Sequence, residues 1–249
     1  MIKTITPKAI SHKKILLRVD FNVDLDDKGK ILSDFRIRAN LPTIEFLLKH
    51  QAEKIIIISH LGRPKGKDKK LSLLPIAKHL EQLLKQRVVF LQDCIGAQIK
   101  NEINIRKERI FVLENLRFYE EEENNDKKFA QQLAALADVY INDAFGVSHR
   151  LNASVAAITQ FLPSYAGLLL TNEVNNLNRL IKNAISPFVV VLGGAKISTK
   201  LPLIDVFLKK ADTILLGGGL ANTIWKAWGF EIGKSLFEAE KINDAKNLG

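Results

Sequence analysis

Apolar positions recur along the chain in two rhythms. Short β-branched runs, "ILLRVDFNV" (15–23), "KIIIISH" (54–60), "RVVFLQ" (87–92), "IFVLEN" (110–115) and "DVYIND" (138–143), predict strands. Between them "LPTIEFLLKH" (41–50), "LLPIAKHLEQLLKQ" (73–86) and "KKFAQQLAALA" (127–137) carry the spacing of amphipathic helices. "SYAGLLLTNEVNNLNRLIKN" (164–183) predicts a long helix, after which "FVVVLGG" with "LPLIDVFLKKA" and "TILLGGG" with "LANTIWKAWG" give two more strand and helix units. Alternation of this kind is the signature of βαβ units and a parallel sheet. About seven strands, interrupted by the long helix, favour two doubly wound sheets over a closed eight-stranded barrel. The charged stretches "KGKDKK" and "EEEENNDKK" are expected to be solvated loops.

Polar residues collect where these strands end: Asp20 and Asn22, His60 to Arg63, Glu114 to Arg117, Asp143 to Arg150, and Gly193 to Lys200. In open α/β sheets that edge is where ligands bind. "HLGRP" (60–64) follows four isoleucines, and Arg63 presents a planar fork suited to phosphate. Alone it reads more readily as an ordinary strand-to-loop turn with a solvated Arg. Arg117 and Arg150 occupy the equivalent place after other strands, and three arginines on one edge suggest a phosphate or carboxylate clamp. Arg36, just ahead of a helical pattern in the loop after the first strand, is a fourth candidate, to be weighed against a surface cation. Asp20 and Asn22 could bond a ligand's hydroxyl and carboxylate, whereas Arg18 reads as structural.

"GGAKISTKLP" (193–202) leads from a strand into a helix with Ser198 or Thr199 as candidate cap. Lys200 in a first helical turn opposes the helix dipole unless an anion lies nearby, which favours phosphate. The segment is not a Walker loop, and "GGGLAN" (217–222) lacks the dinucleotide pattern. Asp143, Ser148 and His149 are the residue types of a hydrolase triad, but adjacent Ser and His side chains diverge and the flanking glycine is missing. Glu120 to Glu123 are expected to face water and no metal ligand is assigned.

Composition narrows the class. The formal charge of +10 suggests an anionic partner such as nucleic acid, a membrane surface or a phosphorylated small molecule, although Lys, Ile and Asn are abundant together and the charge reflects compositional bias as readily. Cys94 is the only cysteine, which excludes an intrachain disulfide and a thiolate metal centre and leaves packing as its role. No apolar run reaches the ~18 residues of a membrane span, and the first residues lack a signal-peptide core, so a cytoplasmic location is expected.

Six segments, "RVDFNV", "SHLGRP", "ENLRF", "NDAFGVSHR", "GGAKISTK" and "GGGLANT", stand in the order and spacing of phosphoglycerate kinases, and the chain resembles that family from about residue 5 onward. The resemblance implies α/β architecture with two Rossmann-like, doubly wound parallel-sheet domains joined by a helical hinge, the second domain incomplete. Residues 1–169 would form the 3-phosphoglycerate domain, 170–183 the connecting helix and 184–249 part of a nucleotide domain. It also implies reversible phosphoryl transfer between 1,3-bisphosphoglycerate and magnesium ADP, giving 3-phosphoglycerate and ATP in glycolysis. On matching positions, Asp20 and Asn22 would hold the glycerate end, and His60, Arg63, Arg117 and Arg150 the non-reacting phosphate. Arg36 would lie near the reacting group and be catalytic together with Lys200. Lys196, Lys200, Gly217, Gly218 and Gly219 would serve the nucleotide, and hinge closure would unite the two sides.

The chain stops at "KNLG", before the family's later ribose contact and the Asp-bearing loop that holds Mg2+ and phosphates. The expectation is therefore a fragment of a longer product that binds 3-phosphoglycerate but turns over poorly or not at all. Expected partners are the two phosphoglycerates and ADP or ATP, with no nucleic acid and no membrane, and a monomer if full length. The competing readings are a noncatalytic phosphate-binding protein on the same fold and a nucleic-acid-binding module. The latter calls for a basic stripe interleaved with aromatics, and aromatics make up only 7% of the chain.

Overall fold

In a computed structural model that describes residues 2–248, two compact units divide the chain, the division falling after Asn175. The first contains α1 (Pro7–Ile10), β1 (Lys14–Arg18), α2 (Phe35–Lys49), β2 (Lys54–Ile58), α3 (Leu74–Leu84) and β3 (Val88–Phe90). There follow α4 (Ala97–Ile105), β4 (Ile110–Val112), α5 (Glu120–Glu123), α6 (Lys127–Ala134), β5 (Val139–Asn142) and β6 (Ser164–Ala166). The division lies inside α7 (Leu168–Asn183). Beyond it come β7 (Val189–Gly194), α8 (Leu201–Leu208), β8 (Thr213–Gly218), α9 (Gly219–Ala227) and α10 (Ile242–Lys246).

The first unit is a parallel six-stranded sheet in the order β3-β4-β2-β1-β5-β6. Strands β1 to β5 alternate their side chains between two cores. Ile15, Leu17, Ile55, Ile57, Ile110, Val112, Val139 and Ile141 pack on one face with Ile37, Ile44 and Leu47 of α2 and Ile76 and Leu80 of α3. Leu16, Ile56, Ile58, Phe111 and Tyr140 pack on the other with Ile99 and Ile103 of α4 and Phe129 and Leu133 of α6. Burial on both faces is why these strands are continuous apolar runs. Because all strands run one way, their carboxyl ends share one edge. β1 leads to β2 on one side and β5 to β6 on the other, so the crevice favoured for ligands opens between β1 and β5.

Three expectations are corrected. Ser164–Ala166 is not the start of the long helix but an eighth strand, paired with Tyr140–Asn142; Gly167 separates it from α7. The strand is invisible as a pattern because three residues form it through a distant partner. Glu120–Glu123 is a helix rather than a solvated loop, and Glu122 is buried at 1% exposure because it answers groups 32 residues away. Lys69–Leu71 within the lysine-rich loop forms one turn of 3-10 helix capped by Asp68.

In the second unit β7 and β8 pair in parallel, Gly193 opposite Gly217 and Gly194 opposite Gly218. Ile197, Ile204, Leu220, Ile224, Ala227 and Ala245 form its core.

Candidate functional site

The loop leaving β1 is held by the loop that follows β2, which the loop after β4 braces in turn. Ser59 Oγ accepts from Phe21 N at 2.9 Å and donates to Val19 O at 2.9 Å, while Asn22 Oδ1 accepts from Gly62 N at 2.8 Å. Gly62 has φ +62°, a conformation in which a side chain would be strained, and it turns its N–H toward Asn22. Its carbonyl accepts from Arg117 Nη1, and Arg117 Nε lies 3.3 Å from Glu123 Oε1. Asn115 braces the same turn: its Oδ1 accepts from Leu61 N and Arg117 N, and its Nδ2 donates to Leu61 O and Leu71 O. Asp20, Asn22, His60, Arg117 and Arg36 thus meet along the carboxyl edge.

Arg36 is the second residue of α2, not a loop residue, and its Nη1 sits 2.6 Å from Asp20 Oδ2. The other Asp20 oxygen accepts from Asn22 N at 3.2 Å. Gly146, in the turn after β5, approaches so closely that a Cβ there would lie 3.1 Å from Asp20 Oδ2. The β5 loop therefore closes on the β1 loop across the sheet's crevice.

Charge in this region is strongly unbalanced. Burial, followed by the fields of Arg18, Arg117, Arg150 and Arg36, pushes the His60 imidazole down to about 2, so it is a neutral ring at physiological pH and not part of the positive charge. Burial likewise lowers Arg117, helped by Arg150, Arg18 and Arg63 and opposed by Glu123. Arg63 is exposed, whereas the Nε of half-buried Arg150 is buried without a hydrogen-bond partner. An anion here would relieve both the mutual repulsion and the unpaired donor.

Arg18 is buried within the strand end and donates to Ser154 Oγ, Val19 O and His60 Nδ1. Its support is a hydroxyl and a ring rather than a directly paired acid. Ser154 was not singled out from sequence, Glu122 was read as a water-facing acid, and Asn115 and Gly146 lay within quoted segments but were given no role. The bonds that give them their roles reach residues distant in the chain, which no local pattern reports. Ser148 Oγ donates to Ala144 O and accepts from Asn142 Nδ2, which commits it to the turn. Cys94 is buried with its Sγ on Glu114 O, and burial raises the thiol well above its ordinary range.

In the second unit the glycines form a close junction. Gly218 has φ +64°, and a Cβ on Gly219 would collide with the carbonyl of Ala195. That brings the start of α9 against the segment that carries Lys196 and Lys200. Lys196 is exposed and Lys200 half-buried. The expected cap is corrected: Lys200 itself is the residue before α8, and neither Ser198 nor Thr199 caps it. Pro202 sets the helix start, and Glu238 draws Ser198 away, accepting from its N at 2.9 Å and its Oγ at 2.6 Å. Glu238, held below the usual carboxylate range chiefly by the Ser198 hydroxyl, also escaped the sequence reading. Among the described residues no group of three or more His, Cys, Asp or Glu side chains could hold a metal ion.

The family model for phosphoglycerate kinase matches residues 5–249. The phosphoglycerate kinase of Coprothermobacter proteolyticus is 48% identical over 249 residues, covering 99% of this chain and 63% of the relative, and that of a Nostoc species is 47% identical over 249 residues, covering 99% and 62%. Among solved structures, phosphoglycerate kinase from Coxiella burnetii aligns with a TM-score of 0.83 at 37% identity, over 96% of this chain and 60% of that one. The enzyme from Pyrococcus horikoshii OT3 gives 0.82 at 32% identity, over 96% and 62%. The chain spans a little over three-fifths of the length of these curated relatives. With the family model running over nearly every residue and solved relatives aligning over 96% of the chain, the chain belongs to the phosphoglycerate kinase family.

Proposed function

We propose that the first unit is a 3-phosphoglycerate site and that its chemistry is the phosphoglycerate half of phosphoryl transfer between 1,3-bisphosphoglycerate and ADP in cytoplasmic glycolysis. The observation that carries this reading is the crowd of guanidinium groups at the carboxyl edge, with the buried Nε of Arg150 lacking a partner. Arg63, Arg117 and Arg150 would take the non-reacting phosphate, and His60 would add a neutral N–H. Asn22 and Asp20 would position the glycerate end. Arg36 would break its pair with Asp20 to neutralise charge at the carboxyl group that receives the phosphoryl group.

On the nucleotide side, Lys196 and Lys200 would meet phosphates of ADP or ATP, with Gly217, Gly218 and Gly219 bordering the base. Arg36 and Lys200 would act together after closure about α7, the proposed hinge between a domain at 1–169 and one from 184. Magnesium would come with the nucleotide; among the described residues no group of three or more His, Cys, Asp or Glu side chains could hold it. The 249-residue chain would bind 3-phosphoglycerate, with turnover slow or undetectable; the full-length protein would be a monomer.

Calorimetric titration with 3-phosphoglycerate tests this directly, with Arg63→Ala run beside it and magnesium ADP as a separate arm. The expected result is saturable binding that Arg63→Ala weakens roughly tenfold, the loss of one charge-assisted contact. A folded sample that binds no 3-phosphoglycerate would refute the reading. Binding of unrelated DNA in its place would favour a nucleic-acid partner.

A further inference from the structure

A chain of buried polar groups runs from α5 to the phosphate-binding edge. Glu122 accepts from Ser154 twice, Oγ to Oε1 at 2.6 Å and N to Oε2 at 2.9 Å. Ser154 Oγ, its proton thus committed to Glu122, accepts from Arg18 Nε at 3.0 Å. Arg18 Nη2 then lies 3.1 Å from His60 Nδ1. Glu122, Ser154 and Arg18 are all 2% exposed or less, and His60 4%.

The directions of these bonds are fixed by chemistry. A guanidinium has only donors, so His60 Nδ1 must accept. A neutral imidazole with a lone pair on Nδ1 carries its proton on Nε2. We propose that Glu122 and Ser154 are positioning residues: they anchor the Arg18 guanidinium and through it hold His60 in the Nε2–H tautomer, the form that offers a donor and not a lone pair to a bound anion. The other tautomer would set two donors against each other. The charged groups acting on His60 are Arg18 from β1, Arg36 from α2, Arg117 after β4 and Arg150 after β5; all are cations and all oppose protonation of the ring. Glu122 lies behind Ser154 and supplies the negative charge that lets Arg18 stay buried.

Only the identity of the anion rests on the phosphoglycerate reading, and the test separates the two. Nitrogen-15 spectra of the full chain, labelled at histidine and free of ligand, report the tautomer; His60→Gln assigns the signals. The expected spectrum has an unprotonated Nδ1 and a protonated Nε2, unchanged between about pH 5 and 8. Ser154→Ala should yield mixed tautomers and about tenfold weaker 3-phosphoglycerate binding, and Ser154→Thr, which keeps the hydroxyl, should restore the single form. A proton on Nδ1, a tautomeric mixture in the unaltered chain, or a tautomer indifferent to Ser154→Ala would overturn the proposal. The spectrum of the unaltered chain decides the tautomer even where a variant fails to fold. Failure to bind 3-phosphoglycerate would not alter that spectrum, so it would count against the substrate reading alone.

Discussion

His60 shows how one residue can couple the site to stability. Its folded-state value of about 2 lies far below the ordinary 6.5, so the unfolded chain binds the extra proton anywhere between those limits. Stability contributed by the neutral ring is complete above about pH 6.5 and declines as pH falls, by about 1.4 kcal/mol per pH unit. Urea unfolding at pH 7.5 and 5.5 should therefore show a loss about 1.4 kcal/mol larger in the unaltered chain than in His60→Gln. Ordinary carboxylates remain ionised over this interval, and groups other than His60 contribute nearly equally to both proteins. Equal pH slopes would mean that the ring is not buried neutral. Of the arginines that depress His60, Arg117 and Arg150 were legible in sequence as residues following strands, Arg36 as a cation ahead of a helix and Arg18 only as a structural residue of the first strand. The neutrality of the ring was not, because it depends on burial and on how close four cations from different elements come to it.

At the scale of elements, the start of α7 depends on a residue outside the helix. Gly167 precedes its first turn and has no side chain to cap it; Asp143, from the end of β5, accepts from Leu170 N at 3.1 Å instead. Thr43 of α2 accepts from Leu168 N at 3.1 Å. Burial raises the Asp143 carboxyl, an effect the bond from Leu170 N opposes. A Cβ at Gly167 would collide with Asp143, so Gly167→Ala should cost about 1–3 kcal/mol by overpacking, more than Asp143→Asn, which retains an acceptor. Denaturation midpoints of the two variants in the reverse order would discount the cap. Such joints explain what the linear pattern conveys. Strands β1, β2, β4 and β5 are legible because burial on both faces demands consecutive Ile, Val, Leu or Phe. β6 is not, since Ser164, Tyr165 and Ala166 become a strand only beside Tyr140–Asn142. In the same way Glu122 reads as one of four surface acids until Ser154 is brought to it, and Lys200 reads as a first-turn residue until Pro202 and Glu238 are seen to move the helix start.

At the scale of the whole molecule the two units, taken separately, differ in how completely their sheets are covered. β1, β2 and β4 of the first unit have paired neighbours on both sides and apolar cores on both faces. Among the described residues, β7 and β8 pair only with each other, and Val189, Val191 and Leu215 on them are 48, 72 and 51% exposed. A two-stranded parallel sheet with water on these side chains gains little from burial, and its backbone bonds open without disturbing a large core. The charge of +10 adds mutual repulsion and no order to this region. Hydrogen exchange followed by mass spectrometry should therefore find the amides of 189–194 and 213–218 exchanging at least about 100-fold faster than those of 15–18 and 55–58, a difference of roughly 3 kcal/mol in opening free energy. Val191→Lys, on a side chain already in water, should leave the slow amides of the first unit unchanged. Equal protection of both sheets in a monomeric sample would show that the second unit holds its strands by contacts other than these, and its exposed apolar surface would no longer explain its behaviour.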